Sequence, residues 1–140
     1  MKSKPVTTVT KTKVCNNRKN GKKYEGELVK ALRRMNLFAR LGRSNEEGDI
    51  ILSENNLIIE CKSTILKDRF RISKNPEQFW RLRDIQFRGT EVWYAVRFKG
   101  EGISGWRFYR IPERICILFK DEGFTLSEFL FLIREAQNAL

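Results

Sequence analysis

The sequence contains no histidine, and this absence excludes several kinds of active site. Serine–histidine–aspartate and cysteine–histidine catalysis both need an imidazole base, and so does any nuclease whose general base is histidine. Cysteine is also scarce, since only Cys15, Cys61 and Cys116 occur and they are far apart. Without histidine they cannot complete a structural zinc site. We therefore expect any chemistry to come from carboxylates, lysine, serine or tyrosine, around a hard cation.

Long apolar runs are missing as well. No stretch approaches the roughly 18 apolar residues of a membrane span, and the N-terminal residues lack the continuous apolar segment of a secretory signal. An odd, scattered set of cysteines is typical of reduced thiols. These observations predict a cytoplasmic protein that does not associate with membranes.

The most informative property that is present is positive charge. Among the 140 residues, 28 are lysine or arginine and 17 are aspartate or glutamate, so the formal net charge is +11. Residues 1–24 contain eight of the basic residues and no acidic residue. We interpret residues 1–21 as a flexible basic arm and residues 22–140 as a single domain with its own core. Such a polycation favours nucleic acid as the partner over a solubilising tail or a membrane anchor.

Hydrophobic periodicity predicts an α/β fold with a mixed central β-sheet flanked by helices. Helical spacing predicts helices over residues 22–36, from Pro76 to about Arg88, and after Thr125, where Glu128 completes a capping-box pattern. Apolar and β-branched segments predict strands over 37–41, 49–53, 57–62, 91–98, 106–111 and, at an edge, 115–119. The Asn55-Asn56 pair predicts a hairpin between the second and third strands. Residues 63–75 are expected to form a polar, basic connection.

This hairpin carries charged residues inside apolar strands. Glu60 and Lys62 are two residues apart, so both point to one face of the strand, opposite Ile59 and Cys61. A hairpin also brings Asp49 beside Glu60. Because two neighbouring carboxylates repel each other, a cation is their natural neutraliser, and oxygen ligands suit Mg²⁺ or Mn²⁺. An exposed glutamate–lysine pair is an equally good account of the spacing of Glu60 and Lys62.

Further residues are candidates for the same site. Lys62 could orient or deprotonate a water and stabilise the negative charge of a phosphoryl-transfer transition state. Glu25 lies on the apolar side of the first predicted helix, so it points either to the carboxylates or only to the helix N-terminus. Ser44, in the polar loop before Asp49, either contacts a scissile phosphate or is an ordinary loop residue.

The order of these motifs resembles that of the archaeal-type Holliday junction resolvases, which belong to the PD-(D/E)xK nuclease superfamily. The matching motifs, within about residues 18–112, are E-x-E-L in the first helix, Arg and Ser before the acid, the D…E-x-K hairpin and the later G-W-R-F strand. The resemblance implies a restriction-endonuclease-like core, so that residues 22–140 form a nuclease domain. It also implies a homodimer that cuts two symmetric strands of branched DNA, a four-way junction, with Mg²⁺ or alternatively Mn²⁺.

The resemblance further implies a role for each matched residue. The implied catalytic residues are Glu25, Asp49, Glu60, Lys62 and Ser44. The implied metal ligands are Asp49, Glu60, the backbone carbonyl of Cys61, and Glu25. The resemblance places Arg40 and Arg43 to meet DNA phosphates, and the basic charge adds Lys19, Lys22, Lys23 and the arm as expected DNA contacts.

Some positions depart from the family pattern, and other functions are compatible with the sequence. Gly48 stands where proline is usual, and Asn36-Leu37 stands where a glycine–aromatic pair is usual. A restriction or repair nuclease on the same core, and a non-catalytic DNA-binding module, are alternatives to a resolvase. The aromatic residues considered for either a dimer interface or the core are Phe79, Trp80 and Trp93.

Overall fold

The structure, a computed structural model, describes residues 23–99 and 102–138, so the basic arm predicted for residues 1–21 lies outside it. The helices are α1, described over residues 23–34, α2 (Pro76–Phe87) and α3 (Leu126–Asn138). The strands are β1 (Ala39–Leu41), β2 (Ile50–Leu52), β3 (Leu57–Ser63), β4 (Arg69–Arg71), β5 (Glu91–Arg97), β6 (Trp106–Arg110) and β7 (Ile117–Phe119). None of the helices within these ranges is long and apolar enough to cross a membrane.

Five strands form one sheet in the order β1-β2-β3-β5-β6. Strands β3 and β5 run parallel, whereas the other neighbours in this sheet are antiparallel. The predicted α/β class with a mixed central sheet is therefore confirmed. Helix α2 lies between β3 and β5 in the chain, as expected for the crossover that a parallel pair requires.

The remaining strands, β4 and β7, pair with each other in a separate antiparallel ribbon. Residues 63–75 were predicted as a polar, basic connection without a strand, and this is wrong in part, because the segment contains β4. Exposed Arg69 and Arg71 alternate with Phe70, which packs against the core, while Ile72 after them is 5% exposed. A three-residue strand with a single inward side chain leaves too short an alternation to recognise in the sequence.

Two hydrophobic cores cover the two faces of the sheet. On one face, α1 and α3 pack over the sheet, where Phe129 stacks on Phe108 at a centroid distance of 4.3 Å and meets Trp93 edge-on. On the other face, α2 and the β4–β7 ribbon enclose Phe79 and Tyr94. Because the inward positions of β3 alternate between these cores, Ile59 and Cys61 face α1 and α3, whereas Ile58 faces α2.

Helix α1 ends in a hydrogen-bonding pattern that usually requires glycine. Asn36 adopts a left-handed conformation with φ 66°, its N–H donates to the Arg33 carbonyl, and the Leu37 N–H donates to the Leu32 carbonyl. This is a Schellman motif, and asparagine is the residue that most often replaces glycine in it. Asn36 therefore takes the left-handed position that glycine usually occupies in this motif.

The aromatic residues considered for a dimer interface have different environments. Phe79 and Trp93 are 0% and 1% exposed, so both belong to the core, and an interface role for them is excluded. Trp80 is 54% exposed and lies outside the core of α2, beside Phe79, which it meets edge-on.

Candidate active site

The register of the hairpin brings the predicted acidic residues together. Ile50 pairs with Ile59, so Asp49 and Glu60 lie next to each other beyond that pair. The Asp49 backbone N–H donates to the Ile59 carbonyl at 2.9 Å, and its Oδ2 accepts from the Cys61 N–H at 2.8 Å. Asp49 is thus fixed to β3 through both its backbone and its side chain.

Two glycines in the preceding loop allow the chain to reach this position. Gly48 has φ +92°, which proline, with φ fixed near −65°, cannot adopt. The Gly42 N–H donates to the Asp49 carbonyl at 2.8 Å, and a Cβ on Gly42 would overlap the Gly48 carbonyl oxygen. This loop conformation therefore excludes proline at position 48 and favours glycine.

Glu60 is the buried charged residue of the site, only 6% exposed. Burial, together with the negative charge of Asp49, raises the pKa of Glu60 to about 7, although the nearby Lys62 ammonium acts in the opposite direction. The side chain faces the α2 side of the sheet, and the alternative of an exposed glutamate–lysine pair is therefore wrong. A carboxyl pair held this close is poised to release a proton when a cation approaches.

Lys62 reaches back along β3 towards Glu60, and a residue from α2 joins them. The Lys62 Nζ lies 3.4 Å from Glu60 Oε2 and donates to Gln78 Oε1 at 2.6 Å. The Gln78 Nε2 donates to the same Glu60 Oε2 at 2.9 Å. Sequence reasoning missed Gln78, because it follows Lys62 by 16 residues and its position near an Asn75-Pro76 helix start indicates only a capping role.

An open cleft of about 660 Å³ lies above these groups. The loop before Asp49 forms one wall, and its lining side chains include Glu25, Arg43, Ser44, Asp49, Glu60 and Gln78. The structure therefore brings both predicted residues, Glu25 and Ser44, to the cleft. Glu25 is half-buried there and Ser44 is exposed. Burial, followed by the negative charges of Asp49 and Glu25, raises the pKa of the Cys61 thiol.

The side chains of the cleft provide only some of the oxygen ligands that a hard cation needs. Within the described ranges, no three side chains of aspartate, glutamate or cysteine cluster closely enough to hold a metal ion. Glu25 therefore does not complete a three-carboxylate set with Asp49 and Glu60. The pair that remains needs an additional oxygen, such as the Cys61 carbonyl, and waters, which is the mixed ligand set that Mg²⁺ accepts.

The residues predicted to contact DNA differ in their contacts within the protein and in their exposure. Arg40 is bound by Glu46 through two bonds of 2.8 and 2.7 Å, and the Arg43 N–H donates to the same carboxylate at 2.9 Å. The Arg40 guanidinium, followed by that backbone bond, lowers the pKa of Glu46 to about 2, so Glu46 stays charged at neutral pH. Lys23 is exposed at the start of α1, whereas Lys19 and Lys22 lie outside the described residues.

Comparison with solved structures shows that this fold occurs in a DNA-processing enzyme. The structure of Hjc, a Holliday junction resolvase from the archaeal hyperthermophile Archaeoglobus fulgidus, superposes with a TM-score of 0.61 at 17% sequence identity. The match covers 80% of this chain and 96% of that chain. The two chains share a fold. No family model and no curated protein matches the sequence.

Proposed function

We propose that this chain is a metal-dependent endonuclease that resolves four-way DNA junctions. The observation that carries the proposal is that Asp49 and Glu60 line one cleft, with the Lys62 ammonium 3.4 Å from Glu60, in a fold shared with a resolvase. A binding module needs no buried glutamate with a raised pKa beside a second carboxylate, because burying such a group destabilises the folded protein.

In this proposal Asp49, Glu60 and the Cys61 carbonyl hold Mg²⁺, or Mn²⁺ in its place. A bound ion supplies a Lewis acid that neutralises charge on the phosphate and makes water more acidic. The fit rests on the chemistry of the donors: both side chains are carboxylates, and burial beside Asp49 raises the pKa of Glu60, an effect that a bound cation would oppose.

The chain's own residues then act on a phosphodiester at the cleft. The Lys62 ammonium stabilises the charge that develops on the phosphate oxygens during in-line hydrolysis. Ser44 Oγ and the Arg43 guanidinium, both on the loop at the cleft, hold the scissile phosphate. Glu25 adds an acidic group on the α1 side. Hydrolysis leaves a 5′-phosphate and a 3′-hydroxyl.

Paired cleavage requires two such clefts in one complex, so we propose a homodimer with two-fold symmetry. We place the contact between the two copies on the outer side of α2. Trp80 and Phe87 are 54% and 90% exposed there and, being seven residues apart, lie on one side of the helix. Branched DNA would be recognised by its shape and phosphates rather than by base sequence.

A nicking assay on a synthetic four-way junction, labelled on two opposed strands, tests the proposal. With Mg²⁺ we expect paired cuts in the junction and little cutting of linear duplex or flaps of the same sequence. Lys62→Ala and Asp49→Asn should abolish cleavage while junction binding, measured by gel shift in Ca²⁺, persists.

Each alternative predicts a different outcome of this assay. Equal cutting of junction, duplex and flap substrates would indicate another nuclease on the same fold. Binding without cleavage in any divalent cation would indicate a non-catalytic module. Normal cutting by both variants would show that the active site lies elsewhere.

A further inference from the structure

Two helices of this chain begin with the same sequence pattern but use it differently. In α3, Thr125 and Glu128 form a reciprocal capping box: Thr125 Oγ1 accepts from the Glu128 N–H, and Glu128 Oε1 accepts from the Thr125 N–H at 2.9 Å. In α2, Asn75 Oδ1 likewise accepts from the Gln78 N–H at 3.2 Å. The side chain of Gln78, however, does not return to Asn75.

The difference has a local cause. The Asn75 N–H already donates to the Ile72 carbonyl in the preceding 3₁₀ turn, so the helix start does not need a side-chain acceptor at Gln78. Of the two hydrogen bonds of a capping box, only the one from the Gln78 N–H to Asn75 Oδ1 forms. Gln78 instead extends its amide into the cleft, between two charged groups of β3.

We propose that Gln78 is a positioning residue for the active site, which sets the geometry of Lys62 and Glu60 without touching the substrate. This inference rests on the proposed nuclease function. Its amide oxygen takes the shorter contact of the Lys62 ammonium, 2.6 Å against 3.4 Å from ammonium to Glu60. Its amide N–H₂ binds Glu60 Oε2, so the other oxygen, Oε1, is the one available to a cation.

The arrangement keeps lysine and cation from competing for one carboxylate. Without the amide, the Lys62 ammonium loses its shortest partner and closes on Glu60, because an ion pair in a poorly solvated site is strongly attractive. A close ion pair would neutralise Glu60 and weaken its interaction with Mg²⁺. Both metal affinity and the chemical step should then suffer, whereas DNA affinity should not.

Gln78→Met tests this, because methionine has nearly the same length and cannot make either hydrogen bond. The matched control is Gln86→Met on the same helix, which loses one bond to the Val92 N–H away from the cleft. The measurements are kcat and KM on the labelled junction, Mg²⁺ affinity by calorimetry without DNA, and Tm without metal. Gln78→Ala repeats each measurement with a strong helix former.

Gln78→Met and Gln78→Ala should each lower kcat and Mg²⁺ affinity by about 10–100-fold, the usual effect of losing a group that orients a metal ligand. KM for the junction should change by less than about twofold, and Gln86→Met should lower only Tm. If the Gln78 variants lose Tm as Gln86→Met does and keep kcat, the role is merely structural and the proposal fails.

The proposed function can fail separately. If the wild-type chain does not cut junctions, the Mg²⁺ calorimetry still decides, since equal affinities of wild type and both Gln78 variants overturn the positioning role. If the wild type cuts but Lys62→Ala cuts equally well, the active site is wrongly assigned, and any effect of Gln78 variants on kcat arises by another route and overturns the inference too.

Discussion

At the scale of single residues, the sequence indicates which side chains lie close together, but not the backbone conformations that bring them there. Alternation in β3 and the turn at Asn55-Asn56 were enough to predict that Asp49 lies beside Glu60 and that Glu60 shares a face with Lys62. The role of Gly48 could not be predicted, because its φ of +92° depends on how the loop closes against Ile58 and Gly42. The role of Gln78 could not be predicted either. Its side chain does not cap the helix, because the Asn75 N–H donates to the Ile72 carbonyl instead.

Gly48→Ala should destabilise the protein and displace Asp49. A Cβ at this position would lie 3.0 Å from the Ile58 Cβ, in a backbone conformation that alanine rarely adopts. We expect a loss of about 1–3 kcal/mol in the free energy of unfolding by urea denaturation, together with lower cleavage. Gly26→Ala in α1 is the control, because its Cβ meets open space and should stabilise by about 0.5–1 kcal/mol. Similar behaviour of the two variants would contradict the assigned role of Gly48.

The raised pKa of Glu60 predicts an unusual pH dependence of stability in the absence of metal. With a pKa of about 7 when folded, against an ordinary value of 4.5, the folded protein binds more protons than the unfolded chain between these pH values. The free energy of unfolding should therefore fall as pH rises from 4.5 to 7, by on the order of 3 kcal/mol. Urea denaturation in EDTA at about pH 5 and about pH 8 measures this on either side of the folded pKa.

Glu60→Gln should remove the dependence, while Glu54→Gln, at an exposed position, should retain it. Added Mg²⁺ should stabilise the wild type more at the higher of the two pH values than at the lower. A free energy of unfolding that rises over this interval would mean that Glu60 is ionised in the folded protein throughout.

At the scale of elements, boundaries were predicted where a local signal marks them. Thr125 and Glu128 start α3, Pro76 and Gly89 bound α2, and the structure confirms each of these. Strand β4 was missed, because its pairing partner β7 is about 50 residues away and the segment itself is arginine-rich. The composition of residues 42–48 predicts a polar loop but not its attachment to β1, which Glu46 makes through Arg40.

The Arg40–Glu46 contact predicts that one of two neighbouring glutamates restrains DNA binding. Glu46→Ala and Glu47→Ala each remove one negative charge from the same loop, but only the first frees Arg40, since Glu47 binds Arg81 of α2. If Arg40 contacts a phosphate, Glu46→Ala should bind junction DNA about tenfold more tightly than Glu47→Ala does, the worth of one charge-assisted bond. Its log–log salt slope should be steeper by about 0.9. Equal affinities in fluorescence anisotropy would exclude Arg40 from the DNA interface.

At the scale of the whole molecule, alternating strand and helix signals with an early hairpin were sufficient for the mixed sheet. The order of its strands was not predictable, because pairing of β3 with β5 depends on how α2 packs across the sheet. Charge is distributed unevenly along the chain. Outside residues 1–24 the sequence has 20 basic and 17 acidic residues, so the strongly basic character belongs to the N-terminal segment.

This asymmetry predicts that much of the salt dependence of DNA binding comes from the N-terminal segment. Changing its first five basic residues (Lys2, Lys4, Lys11, Lys13 and Arg18) to glutamine should reduce the log–log slope of junction affinity against salt by up to about 4.5, or about 0.9 for each phosphate that is no longer neutralised. Changing five neutral residues of the same segment (Thr7, Thr8, Thr10, Asn16 and Asn17) to glutamine is the control. An unchanged slope in the first variant would remove the segment from the DNA interface.

Helix α2 carries both a residue of the candidate active site and an exposed aromatic residue. Gln78 and Trp80 are two residues apart, but the first is hydrogen-bonded to Lys62 and Glu60 while the second is exposed to solvent. Because a helix moves nearly as a rigid body over so short a distance, a shift of α2 at Trp80 would also move the backbone that carries Gln78. If two copies of the chain meet at Trp80, as proposed, their contact could therefore influence Lys62 and Glu60 through α2 alone, with neither a hinge nor a series of intermediate residues.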